Sequence, residues 1–248
     1  MSLRTRRREP TSIRQNKPAW YAEYDDNYMN VLLDNDLTKK LLRDIVDKRY
    51  GCQLDAILSH SIELRQDNFP QFYEVFSHCC DTLGIYECPN AYITNCLSGI
   101  NALTLEVYSQ VYVLISRDVV FTIDHKEQSF LIGHELGHYQ QGNLVCHTVN
   151  GLFTKLTRSS DLLGTLLADA IEVPLKRWCR QCEFNADRAG YLCCEDLSAI
   201  KRLFLSLGMI QTTDEYSLYK QLSAEHPLLE TRFQKLYSFF VGSNYGKK

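Results

Sequence analysis

Apolar residues fall at 37, 41, 42, 45 and 46, the spacing of one helix face, so the chain predicts a helix from Leu37 to Tyr50 that ends before Gly51. A second helix is predicted over Phe69 to Leu83, with Asn68 as N-cap, Pro70 in the first turn and Gly84 as the stop. The period then changes. Asn90 to Asn95, Ala102 to Tyr108 and Val111 to Ser116 are rich in Val, Ile, Leu, Tyr and Thr, and the Asn, Ser, Gly and Gln between them predict a small sheet. Asp124-His125-Lys126-Glu127 has the form of a capping box, launching a helix through about Gln141 that closes at Gly142. Further helices are expected at 144–156, 161–193, 196–207, 214–224 and 227–240. The fold class is α+β, mainly helical, with a short sheet beside the helix that starts at Asp124. Three parts are expected: a disordered basic tail at 1–18, a helical region at 19–88, and a main domain at 89–248 on which that region packs.

Composition narrows the function classes. Of 248 residues, 45% are hydrophobic and 23% charged, enough for a substantial core. A net charge of −3 gives no electrostatic footprint for nucleic acid, so no such partner is expected. The one charge run, Arg4 with Arg6, Arg7 and Arg8, is followed by polar residues and lacks the apolar stretch of a signal peptide. The most apolar stretch, Leu162 to Val173, is too short for a membrane span and carries Asp169 and Glu172. A soluble, cytoplasmic protein is the expectation. The 10 cysteines fit that setting as reduced, buried thiols, because Cys79–Cys80 and Cys193–Cys194 are adjacent pairs, poorly shaped for bridging. Cys179-Arg-Gln-Cys182 lies in a predicted helix without the βαβ setting of a redox motif.

The candidate chemistry sits at His134-Glu135-Leu136-Gly137-His138. Positions i and i+4 of a helix share a face, so both imidazoles can bind one ion. Glu135 is rotated from that axis yet can reach a metal-bound water, whose pKa zinc lowers to about 7. Gly133 and Gly137 each cost such a helix about 1 kcal/mol relative to Ala, which implies that something packs closely against them. His60, His78, His125 and His147 have no partner at ligand spacing.

A catalytic zinc needs a third protein ligand and an open fourth position. The residue six past His138 is Leu144, so the extended three-histidine form of the motif is absent. Glu183-Phe-Asn-Ala-Asp187 supplies two carboxylates on one helix face; one can ligate while the other fixes a ligating histidine through its second ring nitrogen.

Four segments carry a family resemblance: Pro89 to Tyr92; Glu127 to Gly142; Glu183-Phe-Asn-Ala-Asp-Arg-Ala-Gly190; and His226-Pro227 with Arg232. Together they make the chain similar to the HtpX-like and CAAX-prenyl-protease-like gluzincins, metallopeptidase family forty-eight, in a form without membrane spans. The resemblance implies one zinc ion per chain on His134, His138 and Glu183, with Glu135 as general base and Asp187 in support. It further implies that His226 approaches the substrate or the oxyanion, that Arg232 holds the local charge network, and that Val111 to Ser116 pairs with an extended substrate. The expected activity is zinc-dependent endopeptidase action on extended or unfolded polypeptide. The alternatives are a non-catalytic, chaperone-like zinc protein, or a latent enzyme whose open zinc position is filled by residues 1–50 or by Cys52.

Overall fold

The computed structural model describes residues 18–21, 35–142, 144, 162–208 and 229–242, with no account of the side chains of 162–174. The tail at 1–17, the helix expected at 214–224, all but the first residue of that expected at 144–156, and His226 lie outside these residues.

Helix α1 spans Asp36–Leu58 and begins where the Asn35 side chain accepts from the backbone N–H groups of Leu37 and Thr38. It runs through Gly51 rather than stopping before it. Gly51 is buried under the Tyr108 ring, and a Cβ there would lie 1.9 Å from the Tyr108 hydroxyl oxygen. The glycine therefore answers to a close approach, not to a helix end.

Strand β1 (Ser61–Glu63) follows, then helix α2 (Pro70–Leu83). Asn68 is not the cap of α2: Phe69 occupies that position without a side-chain cap bond. Asn68 instead closes the preceding turn, accepting from the Arg65 N–H at 2.9 Å and donating to the Glu63 carbonyl at 2.7 Å. Gly84 ends α2 in the left-handed conformation, φ 69°, as expected of a glycine stop.

Strands β2 (Asn90–Thr94), β3 (Ala102–Val107) and β4 (Gln110–Ser116) complete a four-stranded sheet in the order β1-β2-β4-β3. Strand β4 pairs in parallel with β2, Ala91 opposite Val113, and antiparallel with β3, Thr104 opposite Val113. Both its edges are thus taken, which corrects the expectation that Val111 to Ser116 receives a substrate strand. Strand β3 ends the sheet instead, and its outer edge has no strand partner among the described residues.

Alternation along the strands splits the core into two layers. Leu105, Val107 and Leu114 pack with Val46 and Leu54 of α1 on one face of the sheet. Ala91, Ile93, Val113 and Ile115 pack on the other with Phe72 and Phe76 of α2 and with Ile132 and Leu136 farther along the chain. Those last two belong to α4 (His125–Gln141), which follows a short helix α3 (Arg117–Thr122). Helix α5 (Leu162–Cys194) lies along α4, and α6 (Leu197–Gly208) and α7 (Leu229–Gly242) complete the helical body. Phe130, Tyr191, Ile200, Leu203 and Leu236 join α4 to α7 in a second apolar cluster. The protein is α+β, mainly helical. Among the described residues, no helix is long and apolar enough to cross a membrane.

Candidate metal centre

Helix α4 starts with the full capping box: the Asp124 side chain accepts from the N–H groups of Lys126 and Glu127, and the Glu127 carboxylate accepts from the Asp124 N–H. Gln128 adds a clamp, donating to the carbonyls of Val119 at 3.0 Å and Val120 at 3.1 Å within α3. From Glu127 to His138 the helix is almost entirely buried, on its polar as well as its apolar side. A solvated surface helix would not bury His134, Glu135 and His138, which are 6%, 7% and 8% exposed.

The polar side is buried by α5, which comes close because both helices are nearly bare where they cross. A Cβ on Gly137 would lie 2.8 Å from the Ala189 Cβ and 3.0 Å from the Ala186 Cα. A Cβ on Gly133 would meet the Cys193 sulfur at 2.7 Å, and one on Gly190 would meet the Phe130 carbonyl oxygen at 2.6 Å. Glycine and alanine thus lower the axis separation and let two short carboxylate side chains on α5 reach the imidazoles on α4.

The resulting geometry is convergent. His134 Nε2 and His138 Nε2 lie 3.1 Å apart. Glu183 sets one carboxylate oxygen 3.2 Å from His138 Nε2 and the other 3.5 Å from His134 Nε2. A tetrahedral zinc with bonds of about 2.0–2.1 Å places its ligand atoms roughly 3.3 Å apart, so this donor set fits that ion. Two imidazoles and one carboxylate are also the ligand chemistry of catalytic rather than closed structural zinc sites. Among the described residues, these three are the group of His, Cys, Asp and Glu side chains that could hold a metal.

Asp187, one helical turn beyond Glu183, sits on the other side of the same histidine: its Oδ1 is 3.0 Å from His134 Nδ1. Accepting from Nδ1–H fixes the tautomer that leaves Nε2 free to ligate. Arg232 of α7 binds Asp187 with two guanidinium nitrogens, donating from Nε to Oδ2 at 2.9 Å and from a terminal nitrogen to Oδ1. Its guanidinium also lies 3.7 Å from Glu183 and 5.2 Å from the centre of the Phe204 ring. Burial disfavours both charges. The pair outweighs it: Asp187 is held below the ordinary carboxylate range by Arg232 and His134, and Arg232 is raised above its ordinary value by Asp187 and Glu183.

Glu135 points to a different neighbour. The Thr104 hydroxyl of β3 lies 2.7 Å from its Oε2 and 3.3 Å from its carbonyl oxygen. Sequence reading missed Thr104, because a single threonine in a strand has no spacing signal. Cys179 and Cys182 are buried in α5 as reduced thiols, and Tyr139 donates to the Glu87 carbonyl at 3.1 Å, away from the site.

A helix presenting His-Glu-x-x-His, crossed by a second helix presenting Glu-x-x-x-Asp beside a small sheet, defines a zincin-like metallopeptidase fold. A family model, Peptidase family M48, matches residues 67–239, well over half of the chain, and the protein belongs to that family. No curated protein and no solved structure matches the chain.

Proposed function

We propose that the protein is a zinc-dependent endopeptidase that hydrolyses peptide bonds in extended or unfolded polypeptide. The observation that supports this most is the convergence of His134, His138 and Glu183 at spacings suited to a tetrahedral ion, with Glu135 between the two histidines on the same helical turn. His134, His138 and Glu183 would hold one zinc ion per chain. When bound, zinc supplies Lewis acidity toward a carbonyl oxygen and acidifies a water molecule.

The remaining work falls to the chain's own groups. Glu135 takes the proton of the attacking water on a carboxylate oxygen and returns it to the leaving amine nitrogen. Asp187 holds His134 in orientation through Nδ1, and Arg232 keeps Asp187 ionised and in place. His226, outside the described residues, takes the oxyanion contact implied by the family resemblance. The outer edge of β3, which has no strand partner among the described residues, is where an extended substrate would add a strand. Residues 89–248 form the catalytic domain in this reading, with the 19–88 region packing on it, and the setting is cytoplasmic.

The test is a time course of casein digestion by the wild type and by Glu135→Gln, with zinc measured in both. Cleavage is expected from the wild type alone, with one zinc per chain in each. Equal cleavage by the two would sink the reading of Glu135 as general base.

A further inference from the structure

A glutamate that must collect a proton on one oxygen and deliver it to another atom works best when its other oxygen is anchored. Glu135 carries three side-chain torsions on a helix turn whose neighbours, His134 and His138, face elsewhere. The described residues supply one side-chain hydrogen bond to its carboxylate, from Thr104. That hydroxyl has one proton to give, and the 2.7 Å contact to Oε2 is far better than the 3.3 Å contact to the Glu135 carbonyl oxygen. Both residues are 7% exposed, so little water competes for the bond.

We propose that Thr104 is a positioning residue for catalysis: its hydroxyl anchors Oε2 of Glu135, leaving Oε1 to exchange the proton with water and leaving amine. This rests on the peptidase reading above and adds the residue that orients its base. The anchor is stiff for two reasons. A β-branched threonine has few side-chain rotamers, and Thr104 is pinned in β3 by its antiparallel pairing opposite Val113.

Its place in the fold gives the anchor a second consequence. Strand β3 is also a sheet edge whose outer side has no strand partner among the described residues, so a substrate strand laid along it would be aligned in the same rigid frame as the base. Positioning of peptide and base would then depend on one strand rather than on two independently moving parts.

Steady-state cleavage of casein-derived peptides by Thr104→Val, Thr104→Ser and Thr104→Cys separates the hydroxyl from packing. Thr104→Val keeps the volume and removes the donor; kcat should fall about 10–100-fold, the range for a catalytic group displaced by roughly 1 Å, with KM nearly unchanged. Thr104→Ser should retain kcat within about 3-fold, and Thr104→Cys, a weak donor of similar size that serves should the valine variant not fold, should fall between them. Zinc content should stay at one per chain in all three. In the Glu135→Gln background, adding Thr104→Val should change the residual rate little, because the group it acts through is gone. Wild-type kcat in Thr104→Val or Thr104→Cys, or equal losses in Thr104→Val and Thr104→Ser, would overturn the proposal while leaving the peptidase reading intact. A Glu135→Gln variant as active as the wild type would overturn both.

Discussion

At the scale of single residues, the site is a chain of charges that neutralise one another away from water. Asp187 is the link: it touches His134 on one side and Arg232 on the other, and it is fully buried. Removing its cationic partner leaves a buried carboxylate with no full compensation, a loss of about 3–5 kcal/mol in comparable pairs. Arg232→Met should therefore lower unfolding stability by that order in urea titrations, and Arg232→Lys should recover only part of it, since lysine cannot make the two-nitrogen contact. A melt of Arg232→Met unchanged from wild type would mean that Asp187 finds its compensation elsewhere. Spacing alone placed His134, Glu135 and His138 together and put Glu183 and Asp187 on one face. It left open which carboxylate faces which ring nitrogen, because that depends on how far α5 is slid along α4. Glu183 meets the Nε2 side and Asp187 the Nδ1 side.

At the scale of elements, the decisive feature is the near-bare crossing of α4 and α5. Gly133 and Gly137 cost α4 intrinsic stability, and the sequence already implied that close packing repays it. Gly137→Ala is the incisive test. The change gains about 1 kcal/mol of helix propensity, but its Cβ meets the Ala189 Cβ at 2.8 Å and the Ala186 backbone at 3.0 Å, neither of which can swing aside. Overpacking of this kind typically costs about 1–3 kcal/mol. The helices should be pushed apart, lowering stability in denaturant titrations and weakening zinc affinity in competition with a chelator. A variant as stable as wild type with unchanged zinc affinity would show that the crossing is slack. Element starts and stops were legible where a side chain or a left-handed glycine made them, as at Asp124, Gly84 and Gly142. They were illegible where a distant residue decided, as at Gly51, which the Tyr108 ring covers. Strand β1, only three residues long, has too few positions to show a period.

At the scale of the whole molecule, sheet order was the least legible feature, since strand neighbours are chosen by the complete core rather than by any local pattern. The strands adjacent in sequence did not reveal that β4 is enclosed and β3 is the edge. The cysteines were easier, because the adjacent pairs Cys79–Cys80 and Cys193–Cys194 are poorly shaped for bridging and no export signal is legible ahead of them. The described ones divide by burial: Cys52, Cys88 and Cys96 are exposed, whereas Cys79, Cys80, Cys179, Cys182, Cys193 and Cys194 are buried. Burial pushes the Cys194 thiol up to about 11, a hydrogen bond with Cys79 together with burial raises Cys193, and burial with help from Cys88 raises Cys80. Thiolate reagents should thus modify Cys52, Cys88 and Cys96 within minutes on the native protein at neutral pH, and the six buried thiols only on unfolding. Peptide mapping after a short pulse checks this, and early labelling of Cys193 or Cys194 would contradict it.

Helix α1 and strand β1 precede residue 67, where the family match begins, yet α1 packs on one face of the sheet and β1 pairs with β2. A fragment trimmed to the matched boundaries would lay bare Leu105, Val107 and Leu114 and, by losing β1, strip the edge of β2. Such a fragment would present a fresh adhesive rim and a greasy face, and Trp20 is buried against α2 and α4 as well, so whoever prepares this protein in pieces should cut before Pro18.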